Sequence, residues 1–591
     1  MARVGRPLAV LIIAAALAPG VARASGARVV AGVTVSPQPG TPDASPTTQI
    51  SLLGTAPANI LAVRARGARS GVHRGVLRAY SSGDGASFVP RRRFAQGEVV
   101  SVRVTTNIGG QRRHGFFRFR TGGHANIVLR PGPAPPSTIH GTHRYVSRPD
   151  LRPPAMQITA RRAGRAPGDL FVSPVLAPGH DPPVRGQVGP TIFDDQGDLV
   201  WVSPSPRGLE AFNFRVQDYR GAPALTWWQG RLSFLGIGFG EDVIADSSYN
   251  IVARVRAGNG YHADLHEFTI DRRDSAWVTI YVPVLIHRRG RRVAMLDSIV
   301  QRIDIPTGLV MFEWHSLGHI PLSESHVKQP NGPQPWDPFH VNSIEVDQSG
   351  NLLLSNRNTW AVYKVSARTG GILWRLGGRR SSFRLSRHAR FAWQHDAHQQ
   401  ADGAITLFDD EAAPRAGHES RGLTLRLSGR RARLVRSYIN RRHLLAGSQG
   451  SMQLLPNGNA LVGWGAKPYL SEYSADSRHL LFEARFPRGG ESYRAYKFPW
   501  VGRPATAPAL AARLRGGKLT AHASWNGATE VATWRVFAGP VPDALLPAAV
   551  AARTGFETAI ELPGGSGPYV QVQALDAAGQ VLGTSSTVKA K

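Results

Sequence analysis

A short strand–turn–strand pattern recurs between residues 186 and 500, and it restricts the fold more than any other feature of the chain. The turns are polar and most contain a glycine, as in DDQGDLVWV, DQSGNLLLS, ADGAITLF and LPNGNALVG, and apolar segments flank them. Such turns between apolar segments are typical of β-hairpins. Because helical periodicity is nearly absent, the sequence predicts an all-β protein.

The stretch from His340 to Trp374 indicates how the hairpins combine, because four strand segments fit within it. Its last strand follows a Thr-Gly turn and ends in tryptophan, and the same unit recurs as IDIPTGLVMFEWH at 303–315. Four strands in roughly 35 to 45 residues, with a late tryptophan, are typical of one blade of a β-propeller. At about 50 residues per blade, residues 186–500 predict six blades, with five or seven as alternatives.

The segments on either side predict two smaller β domains. Short β-rich runs at 28–122 predict an N-terminal immunoglobulin-like β-sandwich, and those at 511–591 predict a C-terminal fibronectin-type β-sandwich. Residues 131–185 are rich in proline and predict an extended linker and lead-in to the propeller. A chain of 591 residues is in any case too long for a single core.

Residues 1–24 predict a secretory signal peptide. Arg3 and Arg6 form a basic start, LAVLIIAAALA at 8–18 is an apolar run, and Ala-Arg-Ala at 22–24 is a small-x-small cleavage site. An uncleaved anchor is the alternative, although eleven apolar residues are short for a membrane span. We therefore expect a secreted or cell-envelope-associated protein, which has no cysteine for a disulfide.

The net charge is +31, from 71 Lys and Arg against 40 Asp and Glu, and the excess arginine is spread along the chain. This distribution favours a solvated basic surface. Attraction of anionic substrates and contact with a polyanionic cell envelope are the functional alternatives. No nucleic-acid-binding motif accompanies the charge, so a nucleic-acid partner is not expected.

Three histidines recur near the start of hairpins in the repeat region. His266 lies eight positions before the turn residue Asp274, and His395 lies eight before Gly403. His340 lies ten positions before Gly350. Both counts are even, and strand side chains alternate between two faces. Since the innermost strand of each blade lines the centre of a propeller, the three imidazoles are predicted to converge there.

Arg357 follows His340 by seventeen residues, at the far end of the next strand. A neutral imidazole can act as a nucleophile or general base near pH 7, and a guanidinium binds a tetrahedral oxyanion such as sulfate or phosphate. Without a carboxylate cluster, this combination favours transfer of a charged group over glycoside or peptide hydrolysis. Aromatic side chains that could hold a flat acceptor are Trp336, Trp393, Tyr469 and Tyr493.

Two other histidines lie in the same hairpins as members of this set. His262 has the parity of His266 and is an alternative for the same role, four residues deeper in the strand. His398 lies five positions before its turn, an odd count that predicts the opposite face.

A metal site is the chemical alternative, because three histidines are a common zinc ligand set. Arg357 beside them argues against a bound cation, and only Asp264 and Asp396 share the pattern as carboxylates. The sequence also lacks a GxxxxGK[ST] loop for a nucleotide donor. We therefore expect neither a metal nor a cofactor.

Four segments of the repeat region resemble a known family. The segments ADLHEFTI, FHVNSIEVDQSGNLLLSNRNTWAVYKV, TGGILWRLGG and WQHDAHQQADGAITLFDD are similar to bacterial arylsulfotransferases that do not use a nucleotide sulfate donor, in their actinobacterial-type branch. The resemblance spans most of 186–500. It implies an exported six-bladed propeller that moves a sulfuryl group from a phenolic sulfate ester to a phenolic acceptor through a sulfohistidine.

The resemblance also implies residue roles. The family's Gln-His stretch maps to Gln394-His395, which makes His395 the nucleophile, and its His-x-Asn and Ser-x-Arg stretches place His340 and Arg357 in the site. The first family histidine maps to His266, or less closely to His262. The substrate-binding candidates are Asn342, Trp393, Trp336 and Tyr469. The cysteine pair of better-known members is absent here.

Two other classes of function compete with this hypothesis. One is a non-catalytic binding propeller whose sandwiches adhere to a cell wall or carbohydrate, but a binding module needs no convergent imidazoles. The other is a quinone-dependent dehydrogenase propeller, which would need a calcium-binding carboxylate cluster that the sequence does not show.

Overall fold

A computed structural model describes residues 29–123, 141–176, 187–233, 235–487 and 489–591, so the predicted signal peptide at 1–24 lies outside the described residues. Within these ranges the regular structure is 42 strands and four 3-10 turns, and no helix is long and apolar enough to cross a membrane. The prediction of an all-β protein is therefore confirmed. The 3-10 turns are Pro57–Asn59, Leu322–Glu324, Arg357–Thr359 and Arg387–Ala389.

Residues 34–120, here called the N-terminal unit, form two four-stranded sheets around one apolar core. The first sheet has the order β1-β2-β6-β5 and contains β1 (Thr34–Ser36), β2 (Ile50–Leu53), β5 (Gly75–Ala79) and β6 (Gly85–Pro90). The second has the order β4-β3-β7-β8 and contains β3 (Ile60–Gly67), β4 (Gly71–His73), β7 (Val99–Ile108) and β8 (Gln111–Arg120). In β7 the inward residues Val100, Val102 and Val104 alternate with more exposed neighbours, as expected for a sheet with one face on the core.

Residues 157–498, here called the central region, form six successive sheets whose main strands are antiparallel. The first sheet joins β10 (Asp169–Leu176), β11 (Thr191–Phe193) and β12 (Leu199–Val202) to the last strand of the region, β34 (Gly490–Phe498). The second contains β13 (Glu210–Tyr219), β14 (Ala222–Leu232), β15 (Gly238–Ala245) and β16 (Ile251–Val255). The third contains β17 (Phe268–Ile270), β18 (Ser275–Arg288), β19 (Arg291–Asp304) and β20 (Leu309–His315).

The other three sheets follow the same plan. The fourth contains β21 (Val341–Val346), β22 (Leu352–Asn356), β23 (Ala361–Val365) and β24 (Ile372–Gly377). The fifth contains β26 (His395–Gln399), β27 (Ile405–Asp409), β28 (Arg421–Ser428) and β29 (Arg431–Ile439), with β25 (Arg384–Leu385) added parallel to β29. The sixth contains β30 (Ser451–Leu454), β31 (Ala460–Gly463), β32 (Tyr469–Tyr473) and β33 (Leu480–Arg485), with β9 (Gln157–Arg161) paired to β33.

The inner strands of the six sheets contact one another in sequence. Contacts run from β13 to β17, β21, β26 and β30, then to β34, and from β34 back to β13. The N-terminal ends of strands from distant parts of the chain are thereby brought side by side.

The predicted start of the repeat region at residue 186 is wrong. Strand β10 pairs with β34 from Asp169 opposite Phe498 to Leu176 opposite Gly490, and β9 pairs with β33. Both β9 and β10 lie in the stretch predicted to be linker and lead-in. A repeat pattern cannot reveal them, because the first and last sheets are each completed by a strand from the other end of the region.

The predicted hairpins are confirmed. Strand pairs β17–β18, β21–β22 and β26–β27 are antiparallel. Their turns use the left-handed backbone region at Asp274 (φ 55°), Gly350 (φ 77°) and Gly403 (φ 80°), where glycine carries no steric cost and aspartate is better tolerated than most residues. The four strands expected between His340 and Trp374 are also present, and the fourth extends to Gly377.

The last part of the chain, residues 509–589, forms two further sheets over a shared core that includes Trp534 and Val572. The smaller sheet contains β35 (Ala509–Arg515), β36 (Lys518–Ser524) and β39 (Glu557–Leu562). The larger contains β37 (Thr533–Gly539), β38 (Leu546–Ala552), β40 (Tyr569–Leu575), β41 (Val581–Thr584) and, paired to β40, β42 (Val588–Lys589).

If β10 is a core strand of the central region, Leu170 and Leu373 should respond differently to truncation. Leu170 on β10 is 1% exposed and Leu373 on β24 is 55% exposed. We expect Leu170→Ala to lower the free energy of unfolding by about 2–5 kcal/mol, and Leu373→Ala to change it by less than about 0.5 kcal/mol. Urea unfolding followed by tryptophan fluorescence measures both, and equal effects would contradict the placement of β10.

Candidate active site

The three predicted histidines converge. His266 lies two residues before β17, His340 directly precedes β21, and His395 is the first residue of β26. The ring centroids of His266 and His340 are 4.7 Å apart. The Tyr493 ring on β34 lies 5.8 Å from His266 and 6.4 Å from His395. The inner strands of four sheets therefore contribute to one cluster.

Regular strand alternation does not explain this convergence. His340 itself has a left-handed backbone (φ 57°), and two of the three histidines precede their strands. The strand registers also shift between Val341 and Ser343 and between His395 and His398. The three histidines are grouped as predicted. Irregular backbone at the strand ends turns their rings inward, whereas the prediction from even residue counts assumed regular strands.

Each imidazole contacts a carboxylate through Nδ1. The Nδ1 of His266 lies 2.5 Å from Asp264 Oδ1, and the Nδ1 of His340 lies 2.5 Å from Asp337 Oδ2. Such a carboxylate fixes the orientation of a ring and leaves Nε2 for other partners.

His395 is held in the same way. Its Nδ1 lies 2.7 Å from Asp410 Oδ2, and the backbone N–H of Gln449 points to its Nε2 at 3.3 Å. Because a backbone N–H can only donate, Nε2 carries the lone pair and the ring proton lies between Nδ1 and Asp410. The His395 ring is therefore arranged with its unprotonated nitrogen away from the carboxylate.

Burial and the charges around His395 keep its ring neutral. Burial lowers the pKa of His395 well below its usual value, and the nearby Arg357, His340 and His266 lower it further. Burial also lowers the pKa of His340, against the opposing effect of Asp337. Two of the three imidazoles are therefore neutral, unprotonated bases at physiological pH.

Arg357 lies next to His340 across the ladder between β21 and β22. It begins a 3-10 turn directly after β22, and its backbone N–H donates to the His340 carbonyl at 2.8 Å. Its guanidinium stacks on Trp393 at 4.8 Å from the ring centroid. Nη2 donates to the carbonyls of Ala413 and Gly447 at 3.3 and 3.1 Å. A fixed guanidinium beside neutral imidazoles suits a bound anion.

Comparison with known families identifies the region that contains these residues. Residues 215–486 match the family model described as arylsulfotransferase (ASST). This region belongs to the arylsulfotransferase family. It contains all three histidines of the cluster together with Arg357, Asp337 and Asp410.

No curated protein matches the chain significantly. Among solved structures, a protein of unknown function from Bacteroides caccae is 15% identical, covers 54% of this chain and 94% of its own, and has a TM-score of 0.32. The GH43 protein BlXynB from Bacillus licheniformis is 10% identical over 64% and 88% of the two chains, with a TM-score of 0.25. Apo AztD from Citrobacter koseri is 9% identical over 73% and 98%, also with a TM-score of 0.25. Scores this low carry no argument about fold or function.

Sequence reasoning missed two of the carboxylates in the arylsulfotransferase region. Asp337 precedes His340 by three residues, outside the recognised hairpin, and Asp410 follows the second strand of the His395 hairpin. The FDD segment at 408–410 was a usable signal, because Phe408 pairs with His395 across the ladder. The expectation that no carboxylate cluster accompanies the histidines is therefore wrong, although Asp264, which the sequence pattern did include, contacts His266.

The side chain of Asn342 links the cluster to the neighbouring sheet. Its side chain is fully buried, and its Nδ2 donates to the Gln394 carbonyl at 2.8 Å. Gln394 in turn donates from Nε2 to Ser355 Oγ and to the carbonyl of Ala361, at 3.0 and 3.1 Å. These bonds attach the residue before His395 to the fourth sheet.

The aromatic candidates need correction as well. Trp393 and Trp336 are 1% and 2% exposed, and their indole N–H groups donate to the carbonyls of Pro414 and Val327. Trp393 supports Arg357 from behind, so neither indole offers an open face to a substrate. Tyr469 lies on β32, the third strand of its sheet, between the guanidinium groups of Arg442 and Arg485. The structure does not bring it to the histidines.

The two alternative histidines lie apart from the cluster. His262 is exposed and packs edge-on against Phe239 at 5.9 Å, so His266 is the residue that meets His340. His398 lies between Glu345 and Asp396, at 2.6 and 3.0 Å. Against the effect of burial, these carboxylates raise the pKa of His398 to about 10, which makes it a cation and not a nucleophile.

A buried ion network next to the histidines was also missed. Arg494 on β34 is fully buried and pairs with Glu267 at 2.9 Å and Asp396 at 3.3 Å. Its Nη2 also donates to the Asn342 carbonyl at 2.8 Å. The network joins the inner strands of four sheets directly beside the imidazole cluster.

Proposed function

We propose that the protein transfers a sulfuryl group from a phenolic sulfate ester to a phenolic acceptor through a sulfohistidine at His395, without a nucleotide donor. Membership of the arylsulfotransferase family supports sulfuryl transfer between small aromatic molecules. The observation that carries the finer proposal is the arrangement of His395. Its Nδ1 is held by Asp410, its Nε2 is unprotonated, and burial together with neighbouring charge keeps the ring neutral.

In the first step, Nε2 of His395 attacks the sulfur of the donor. The N–S bond forms as the S–O bond to the phenol breaks, and the phenolate leaves. Negative charge then lies on the sulfuryl oxygens and on the departing oxygen. Arg357 and the imidazole of His340 are placed to stabilise it, and Asp410 stabilises the positive charge that develops on the ring of His395.

In the second step, the acceptor phenol attacks the same sulfur and the N–S bond breaks. The acceptor must lose its proton, and the neutral Nε2 of His340 is the base we assign, with Asp337 stabilising the imidazolium that results. His395 regains its free lone pair. The proton leaves His340 for the released phenolate or for water, so the cycle consumes no cofactor.

We also propose that the six sheets are the blades of a propeller spanning residues 157–498, with a β-sandwich on each side. The cyclic order of contacts among the inner strands supports this arrangement, as does the completion of the first sheet by β34. The two pairs of sheets at 34–120 and 509–589, each with its own apolar core, support the sandwiches.

Export completes the proposal. The basic, apolar and small-residue pattern at 1–24 supports secretion, and the net charge of +31 supports contact with an anionic cell envelope. An exported enzyme would meet phenolic sulfates outside the cytoplasm, where nucleotide donors are scarce.

The direct test is to mix the mature protein with p-nitrophenyl sulfate, with and without phenol, and to follow nitrophenolate release. We expect phenol-dependent turnover, and donor alone should add one sulfuryl group of about 80 Da to the intact mass, because the covalent intermediate accumulates without acceptor. His395→Ala should abolish both signals, because no other side chain would carry the group.

The matched control is His479→Ala, which removes an exposed histidine from the same region. It should turn over and label like the unaltered protein. Full turnover or labelling by folded His395→Ala would remove His395 from the nucleophile role.

Arg357 has two separable effects, and two variants distinguish them. Arg357→Gln removes both the planar set of donors and the positive charge, and Arg357→Lys removes only the former. Both should lower kcat by about 10²–10³, the typical cost of losing one aligned oxyanion donor. A decrease below about threefold in either would place Arg357 outside the site.

The pH profile separates the variants. His395 must be unprotonated to attack, so activity is present above its lowered pKa and is lost as the pH falls through it. Because Arg357 contributes to that lowered value, Arg357→Gln should move the acidic limb of kcat/KM to higher pH, whereas Arg357→Lys should leave it near its original position. Identical acidic limbs in all three proteins would contradict the electrostatic coupling.

A further inference from the structure

A second cluster of titratable side chains lies between the N-terminal unit and the third sheet, apart from the histidines of the arylsulfotransferase site. Asp43 comes from the N-terminal unit, Asp297 from β19, and His315 from the end of β20. All three are buried, with exposures of 7%, 0% and 2%. One ligand atom from each lies within 4.8 Å of the other two.

His315 is oriented by a fourth residue. Its Nε2 lies 3.0 Å from Glu313 Oε1, and Glu313 Oε2 accepts hydrogen bonds from Asn259 Nδ2 at 2.8 Å and Gln301 Nε2 at 2.5 Å. A carboxylate that accepts one ring N–H of histidine while the other nitrogen binds a metal is a common feature of metal sites. It leaves the Nδ1 of His315 directed at the two aspartates.

The two aspartates face that single nitrogen. Nδ1 of His315 lies 2.8 Å from Asp297 Oδ2 and 3.1 Å from Asp43 Oδ1. One N–H cannot satisfy both: it hydrogen-bonds to Asp297, and both carboxylate oxygens of Asp43 are buried without a hydrogen bond. Tetrahedral coordination at 2.0–2.1 Å would place ligand atoms about 3.3 Å apart, a small expansion of the observed spacing.

The charge of the cluster is also unbalanced. Three carboxylates surround one imidazole, and among the described residues no lysine or arginine forms an ion pair with any of the three. Burying uncompensated charge is costly. A divalent cation supplies two positive charges where the imidazole supplies one proton, and it gives Asp43 the partner that it lacks.

We propose that Asp43, Asp297 and Nδ1 of His315 bind a first-row divalent cation of the zinc or manganese type. An imidazole nitrogen with two carboxylate oxygens suits such ions, and water would complete the coordination. The site is structural, because its ligands come from two parts of the fold and it has no residue in common with the imidazole cluster. It is independent of the proposed sulfuryl transfer.

A cation at this site would connect the N-terminal unit to the central region. Tyr80 Oη and Ser87 Oγ of the N-terminal unit already donate to the Val310 carbonyl of β20, at 3.1 and 3.0 Å. A cation held by Asp43 and by the other end of the same strand would add a second attachment. Because the unfolded chain does not bring these ligands together, the bound ion stabilises the folded protein by mass action.

The test uses the full-length mature protein without an affinity tag. The protein is dialysed against a chelator and then a chelator-free buffer, and it is reloaded separately with Zn²⁺ and Mn²⁺. Metal content is measured by plasma mass spectrometry and Tm by circular dichroism. We expect about one equivalent of at least one ion per chain, and a rise in Tm of several degrees on loading.

Asp43→Asn should bind less than a tenth of an equivalent and show no rise in Tm on loading, yet should fold, because it removes an unpartnered buried charge. Asp218→Asn, an exposed aspartate, is the control and should bind like the unaltered protein. Equal metal content in Asp43→Asn and the unaltered protein would overturn the proposal. So would the absence of both binding and a rise in Tm with either ion in the unaltered protein.

Discussion

The pairing of β10 with β34 is the constraint on which the rest of the central region depends. It joins residues more than three hundred positions apart and places β34 between the inner strands β30 and β13. Strand β34 carries Tyr493, whose ring meets His266 and His395, and Arg494, whose guanidinium binds Glu267 and Asp396. Without that strand the imidazoles would lose the surface on which they converge, and Glu267 and Asp396 would each lose one of their counter-charges.

The carboxylates and the guanidinium of the site have different electrostatic roles. The carboxylates lie behind the rings, on the Nδ1 side, where they fix tautomers and can stabilise positive charge as it develops. The guanidinium of Arg357 lies beside the rings, where it favours an anion and disfavours protonation of His395. Groups already oriented in a buried site need little reorganisation as charge moves, which is the main source of catalysis by such arrangements. At His398 the opposite holds, because two flanking carboxylates raise the pKa of the imidazole and keep it protonated.

Local sequence patterns predicted the hairpins, the four-strand unit from His340 to Trp374, and the grouping of three histidines with Arg357. They did not predict β9 and β10, because each of these strands pairs with a strand about three hundred residues away. They did not predict the contact of Asp410 with His395, because register shifts at the strand ends determine it. Trp393 was predicted to bind a substrate because aromatic residues near a site often do so. Its indole is instead buried and donates to the Pro414 carbonyl, so it supports the site from behind.

The proposed function requires that His395, His340 and Arg357 together bind one tetrahedral oxyanion. The most direct measurement is a crystal structure of the mature protein soaked with tungstate, an electron-rich analogue of sulfate. We expect one tungstate within hydrogen-bonding distance, about 2.7–3.2 Å, of Nε2 of His395 and of the Arg357 guanidinium, with His340 also in contact. Tungstate bound only elsewhere, or a His395 ring whose Nε2 is turned away from Arg357, would contradict it.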